Sequence, residues 1–228
     1  MNQHGRPHGA ALLLLADGRF PAGGYAHSGG LEPAITAGLV SDLHSLKGFL
    51  AGRASTVGFV SAAFAAAASG AVLTEDLARL DVLDAELDAR MPSPAQRSTS
   101  RQLGRQYLRV MTTIAPHPAY ASLGARPHQP LVLGVACAAM GLAPTDAALS
   151  SLHESVAGPA AAAVRLLSLD PFGTHQILAD LASTLSDLAA RAIHAARGSV
   201  EELPSGAAPL LEICAEHHAR HDARLFAS

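Results

Sequence analysis

The sequence predicts an all-α fold: a single-domain, multi-helix bundle with a flexible C-terminal helix and tail. Three observations predict it. Ala and Leu dominate a chain whose aromatic content is only 4%, with no Trp. That mixture suits helices packed closely through small side chains, whereas a β-sandwich draws on Val, Ile, Thr and aromatics. Apolar residues also recur at spacings of three, four and seven, the period of a helix face. Finally, no segment of the sequence sustains β-alternation, and no internal repeat or long low-complexity tract interrupts it.

Taken in order, the apolar run at residues 10–16 is short for a signal-peptide core. It leads into Asp17-Gly18-Arg19, not into a small-residue cleavage site. Leu43, Leu46, Leu50, Val57, Val60 and Phe64 form one stripe of a long helix, with Ser41 and Asp42 as starters and Gly70 as its stop. Thr74-Glu75-Asp76 reads as the capped start of a second segment carrying Leu77, Leu80 and Leu87. Met91-Pro92-Ser93-Pro94 breaks the chain before a helix holding Leu103, Tyr107, Val110, Met111 and Ile114. Within it, Gly104 costs ~1 kcal/mol against Ala, which points to close approach by a neighbouring backbone. Pro116, Pro118, Pro127 and Pro130 bracket an irregular connection, and a short helix then runs to Gly141. A new helix starts near Pro144. The last two core helices carry Leu149, Leu152, Val156, Ala163 and Leu167, then Leu178, Leu181, Leu185 and Leu188, the second ending at Gly198. Residues 1–198 therefore read as the bundle, and 199–228 as a linker followed by a short C-terminal helix.

Composition narrows the function. A net charge of −3 and a pI near 6.4 leave no electrostatic footprint for nucleic acid. Cys137 and Cys214 are too few for a disulfide framework, so a reducing, cytoplasmic setting is expected. Residues 57–73 contain Gly58, Ser61, Ser69 and Gly70 and fall short of the ~20 strongly apolar residues of a membrane span, so they read as a buried core helix. Only 15% of residues are charged and the mean hydropathy is +0.23, which implies surface that a partner or a second copy covers.

Catalytic motifs fail one after another. The chain holds no Gly-x4-Gly-Lys-Ser/Thr phosphate loop. His153-Glu154 begins like a zinc-protease motif, but Ala157 stands where its second His belongs. Glu-x-x-His occurs nowhere, and Ser28 follows Ala26-His27 instead of completing a nucleophile elbow. His27 and Ser28 are sequence neighbours and do not face each other on a turn or helix.

The informative segment is residues 17–32: a helix end, a Pro-Ala-Gly-Gly turn in which glycine permits positive φ, and a new helix start capped by Ser28 or Gly29. By itself it reads as an ordinary structural turn. Its residues Pro21, Gly23, Tyr25, His27, Ser28, Gly30, Leu31 and Glu32, however, resemble the N-terminal signature of the urease accessory protein F family. Three further stretches resemble that family in the same order. Residues 97–104, with Arg97, Ser100 and Gly104 at the specified places, resemble its Arg-x-x-Ser-x-x-x-Gly motif, and residues 128–134 resemble its His-x-Pro helix entry. Residues 209–228, with Glu212, His218 and the terminus Arg224-Leu225-Phe226-Ala227-Ser228, match its C-terminal pattern. One departure is Gly158-Pro159 ahead of Ala163-Val164-Arg165, where Pro159 is expected to kink or shorten the helix.

The resemblance implies an all-helical, homodimeric assembly factor without catalysis. It implies bridging of accessory protein D and the GTPase accessory protein G, and help in loading nickel into urease apoprotein, with no stably bound cofactor. The partner-binding residues it implies are Tyr25, His27, Ser28, Glu32, Arg97, Ser100, Arg101, Glu212, His218, Arg224, Leu225 and Phe226. Beyond it, Cys214, His217, His218 and His221 share one face of a C-terminal helix, a donor set suited to transient nickel or zinc. The plain alternative is a polar, His-rich helix end. Rival readings are a GTPase regulator using Arg97 or Arg101 as an arginine finger, a helical enzyme using His27 or His153, and a membrane helix at 57–73.

Overall fold

The computed structural model describes residues 8–220 and 226. Its helices are α1 (His8–Ala16), α2 (Leu31–Thr36), α3 (Leu43–Arg53), α4 (Phe59–Leu73), α5 (Arg79–Ala89), α6 (Pro94–Ile114), α7 (Gln129–Ala139), α8 (Pro144–Leu167), α9 (Pro171–Ala196) and α10 (Pro209–Ala219). A π-turn, Ala54–Gly58, joins α3 to α4, and 3₁₀ turns lie at Gly24–Ala26 and Pro118–Ser122. The described residues contain no strand, so the all-α expectation holds.

The core is built around α4, against which α7, α8 and α9 all pack. Its residues Ala62, Ala63, Ala65, Ala66, Ala67, Ala68 and Ala71 are buried, and such small side chains let neighbouring backbones approach. The closest approach is at Gly134 of α7, where a Cβ would collide with the Ala65 carbonyl oxygen and sit 2.9 Å from the Ala68 Cβ. Leu43–Leu73 is long and apolar enough to cross a membrane by composition alone. Two-thirds of its most apolar window (67%) is buried inside the protein, which is the position of a core helix, as the sequence reading of 57–73 expected.

Local chemistry explains most boundaries. Asp42 caps α3 by accepting from the Ser45 N–H at 2.8 Å, and Ser93 caps α6 from Gln96 at 3.2 Å with Pro94 following. Asp170 caps α9 through the amides of Phe172 and Gly173. Gly104 meets the backbone of residues 127–129, with Gln129 N 2.9 Å from the position of an added Cβ, so the close approach inferred from its presence is found.

Four expectations about the helices are corrected. Helix α4 passes Gly70 and stops at Leu73. Thr74-Glu75-Asp76 does not open the next helix but closes this one: Glu75 takes φ 60°, its N–H bonds Val72 O at 3.2 Å, and Asp76 N bonds Ala71 O at 2.9 Å. The stretch from Leu43 is not a uniform α-helix either, since it widens into the π-turn where Gly58 lies against Ser155. Helix α8 runs unbroken through Pro159 to Leu167. Proline has no N–H to offer the carbonyl four residues back, and that carbonyl, Ser155 O, instead accepts from Arg53 Nε at 2.9 Å.

The segment after α9 is anchored at its start. Val200 and Leu203 are buried, Arg79 donates to Gly198 O at 2.7 Å, and Arg90 donates to Val200 O and Leu203 O. Helix α10 then lies against α2 and α6.

On an open helix surface Gly→Ala gains ~1 kcal/mol, and Gly48, with nothing within 4 Å of its Cβ position, is expected to behave so. Gly134→Ala should instead lose roughly 1–3 kcal/mol by forcing α4 and α7 apart. Urea unfolding of the two variants checks this; a stabilised Gly134→Ala protein would refute the packing account.

Candidate functional site

The turn between α1 and α2 is built on buried anchors. Phe20 is buried, its ring 5.2 Å from that of Tyr107 on α6. Gly23 has φ 85°, and a Cβ there would run into the Gln106 side chain. Ser28 is fully buried and its Oγ accepts from the Glu32 N–H at 3.2 Å. The cap position itself is Gly30, at φ 88°, and not Ser28 or Gly29, so Glu32 stands second in α2. Tyr25 is 64% exposed and its carbonyl accepts from Arg165 Nη2 at 3.4 Å. His27 is partly buried, and that burial holds its pKa below the ordinary value.

The C-terminal segment closes on this turn. Glu32 Oε2 accepts from the Phe226 N–H at 3.0 Å and lies 3.6 Å from His218 Nε2, with both side chains nearly buried. The Arg165 guanidinium sits 4.5 Å above the Phe226 ring, a cation–π contact. Leu211 of α10 packs over Gly30. Glu216 accepts from Ser93 Oγ and from the Ala95 N–H at 2.8 Å, fastening α10 to the start of α6. Glu212 folds back on its own helix, accepting from the Ala208 N–H at 3.3 Å. Leu210 and Ile213 are left pointing outward, 64% and 65% exposed.

Beneath the turn lies the repair of Pro159. At Gly29, φ is +61° and an added Cβ would be 2.9 Å from Pro159 Cγ and 3.3 Å from the Arg53 guanidinium carbon. Only glycine closes over this cation at that angle. Desolvation lowers the Arg53 pKa to about 10.

Arg97, Ser100 and Arg101 form a different cluster. Arg101 donates to Asp84 at 3.0 Å, to Asp88 at 2.6 Å and to the Arg126 carbonyl. Arg97 donates to the Met91 and Pro92 carbonyls and lies 3.6 Å from Asp88. Ser100 Oγ is 3.0 Å from Nδ1 of the buried His128, whose Nε2 is 3.1 Å from Asp88. Burial raises the Asp88 carboxyl pKa, but Arg101 and His128 outweigh it and leave the net shift downward. Burial, reinforced by Arg101, lowers that of His128. These groups tie α5, α6 and α7 together, and Arg101, whose pKa is raised by its aspartates against burial, has its guanidinium engaged on several sides.

The structure thus brings Tyr25, Ser28, Glu32, His218 and Phe226 together and sets Arg97, Ser100 and Arg101 apart. Arg224, Leu225 and His221 lie outside the described residues. Among the described residues no three His, Cys, Asp or Glu side chains gather to hold a metal ion; His218 turns into the bundle, and burial raises the Cys214 thiol pKa. His153 is partly buried and its pKa is lowered by that burial. Beside it, Glu154 accepts from Gln129 Nε2 at 2.7 Å, and burial pushes its pKa up to about 7. Arg53 and Glu216 escaped the sequence reading: neither sits in a recognisable motif, and their partners are 102 and 123 residues away.

Comparison with known proteins adds a family context. Residues 40–182 match the family model described as UreF. The chain is 42% identical over 219 residues to the urease accessory protein UreF of Mycolicibacterium vanbaalenii, covering 96% of this chain and 98% of that one. It is 41% identical over 217 residues to the protein of the same name in Mycobacterium sp. strain JLS, covering 95% and 97%. The Mycobacterium tuberculosis H37Ra protein is 39% identical over 219 residues, covering 96% and 98%.

Glu154 yields a pH prediction with a definite sign. Its folded pKa, about 7, exceeds the ordinary glutamate value of 4.5, so its contribution to stability is present below the unfolded pKa and lost as pH rises through about 7. The stability advantage of Glu154→Gln over wild type should therefore grow by on the order of 2 kcal/mol between pH 5 and pH 8. Chemical denaturation at the two pH values measures it, and a pH-independent difference would show that this carboxyl titrates normally.

Proposed function

The chain belongs to the UreF family, whose members are named urease accessory proteins, and from that premise we propose a non-catalytic assembly factor that joins other accessory proteins during urease maturation. In this reading it is a cytoplasmic homodimer that bridges accessory protein D and the GTPase accessory protein G. Nickel is cargo passed within the assembly to urease apoprotein, and no resident cofactor is assigned to this chain. Residues 199–228 are the docking element.

The observation that carries this reading is the way α10 is mounted. Glu32, Arg165 and Glu216 fasten one side of the C-terminal segment to the bundle, while Leu210 and Ile213 face outward from the other. A helix with exposed apolar residues at i and i+3, already held in register, suits insertion into an apolar groove on accessory protein D. Anchoring it beforehand lowers the ordering cost of binding. Tyr25, also exposed, lies on the turn to which that segment is pinned.

The arginine-finger alternative draws no support from this geometry, because Arg101 is engaged by Asp84, Asp88 and Arg126 O, and Arg97 by Met91 O and Pro92 O. A finger needs a guanidinium able to reach another active site.

Co-purification with accessory proteins D and G, comparing the full chain with one ending at Gly198 and with Leu210→Asp/Ile213→Asp, tests the reading. Capture of accessory protein D is expected to fall about tenfold or more in both variants. Undiminished capture by the truncated chain would eliminate the docking role of the tail.

A further inference from the structure

Helix α6 carries Arg97, Arg101, Arg105 and Arg109 at four-residue intervals and no acidic residue between Pro94 and Ile114. Positions four apart are neighbours on a helix surface, each step drifting by about 40°, so these arginines form one gently winding ladder. Such a run of like charge is unfavourable within a single helix, and it occurs in a chain with more acids than bases, 19 against 16.

The first two rungs are answered from within the protein. Asp84 and Asp88, themselves four apart on α5, take Arg101 at 3.0 and 2.6 Å, and Asp88 lies 3.6 Å from Arg97. The last two are not: Arg105 and Arg109 are exposed, and their guanidinium groups make no ion pair or hydrogen bond among the described residues. Gln102, Gln106, Thr112 and Thr113, the exposed residues around them on α6, are uncharged. Arg126, also exposed, stands on the loop that crosses α6 at Gly104, its carbonyl held by Arg101.

We propose that Arg105 and Arg109 on the outer face of α6 form a docking surface for an acidic face of another protein, one presenting carboxylates at helical i, i+4 spacing. The occupant is specified by the two answered rungs. A guanidinium presents several N–H donors to carboxylates, and an aspartate pair one helical turn apart already satisfies the preceding arginine, each through one oxygen that accepts two N–H groups. The surface is distinct from the α10 docking element. Helix α10 meets α6 at Ser93 and Ala95, and Arg105 lies ten residues beyond Ala95, about 15 Å further along the axis. One chain can therefore hold an apolar groove at one end of α6 and an acidic surface at the other.

The test titrates the full-length chain into a labelled helical peptide bearing Glu pairs at i, i+4 spacing, at low and at high salt. Saturable binding that weakens steeply with salt is expected. R105E/R109E should lose about tenfold or more in affinity, R105K/R109K should retain part of it, and L210A/I213A should bind as wild type. Because both arginines are exposed, all variants should keep the wild-type helical signal, and R105E/R109E, which relieves the like-charge run, should melt no lower than wild type. Equal binding by R105E/R109E, or no saturable binding by wild type at low salt, overturns the proposal. So does capture of a DNA duplex in preference to the peptide, which would make the face a nucleic-acid site. A self-association lost in R105E/R109E, without peptide binding, would assign the face to a second copy and equally overturn it.

Discussion

The close contact between α4 and α7 sets the spacing of everything else. Seven buried alanines in α4 remove side-chain bulk on more than one side of the helix, so α7, α8 and α9 can surround it. Each alanine buries little apolar area of its own, and the stabilisation comes from the density of contact that short side chains permit. Gly134 marks the tightest point, where the two backbones leave no room for a methyl group. Because α8 is seated on α4 by this packing, the position of Ser155 and Pro159 follows, and with it the floor of the turn at residues 28–30.

That floor is a case of two irregularities satisfying one another. Pro159 deprives the Ser155 carbonyl of its helical donor, and burying an unpaired carbonyl costs on the order of 1–3 kcal/mol. Arg53, at the junction where α3 widens into the π-turn, supplies the missing donor. The guanidinium then needs cover that adds no bulk, which Gly29 gives at φ +61°. Gly29 thus answers to a proline 130 residues later in the chain, and the turn in turn presents Glu32 to the C-terminal segment.

Sequence reading reached the features that depend on local chemistry. Asp42, Ser93-Pro94 and Pro144 begin helices where their types predict, and Gly104 and Gly141 sit at a close approach and at a helix end. The misreadings arose where one composition serves two local roles or where a distant partner decides. Thr74-Glu75-Asp76 has the composition of a helix start, yet its amides close the preceding helix, and only Glu75 at φ 60° distinguishes the two roles. Pro159 looks like a breaker because its compensating donor lies on another helix. The site was legible as a set of residues but not as a grouping. Resemblance gathered Tyr25, Glu32, Arg101 and His218 into one list, whereas the fold separates Arg101, which braces α5 against α6, from the three that meet at the tail.

The tail anchor and the arginine ladder follow one electrostatic logic. Glu32 and Glu216 are acids placed to receive backbone N–H groups and polar side chains, contacts whose geometry holds a segment in one register. Arg97 and Arg101 are held in the same manner by Asp84 and Asp88. In each case charge positions an element while apolar side chains supply most of the burial, as Leu211 does over Gly30 and Tyr107 against Phe20. A protein that positions its own helices by this division has surfaces suited to positioning others in the same way. Leu210 and Ile213 offer burial at one end of α6, and Arg105 and Arg109 offer charge at the other.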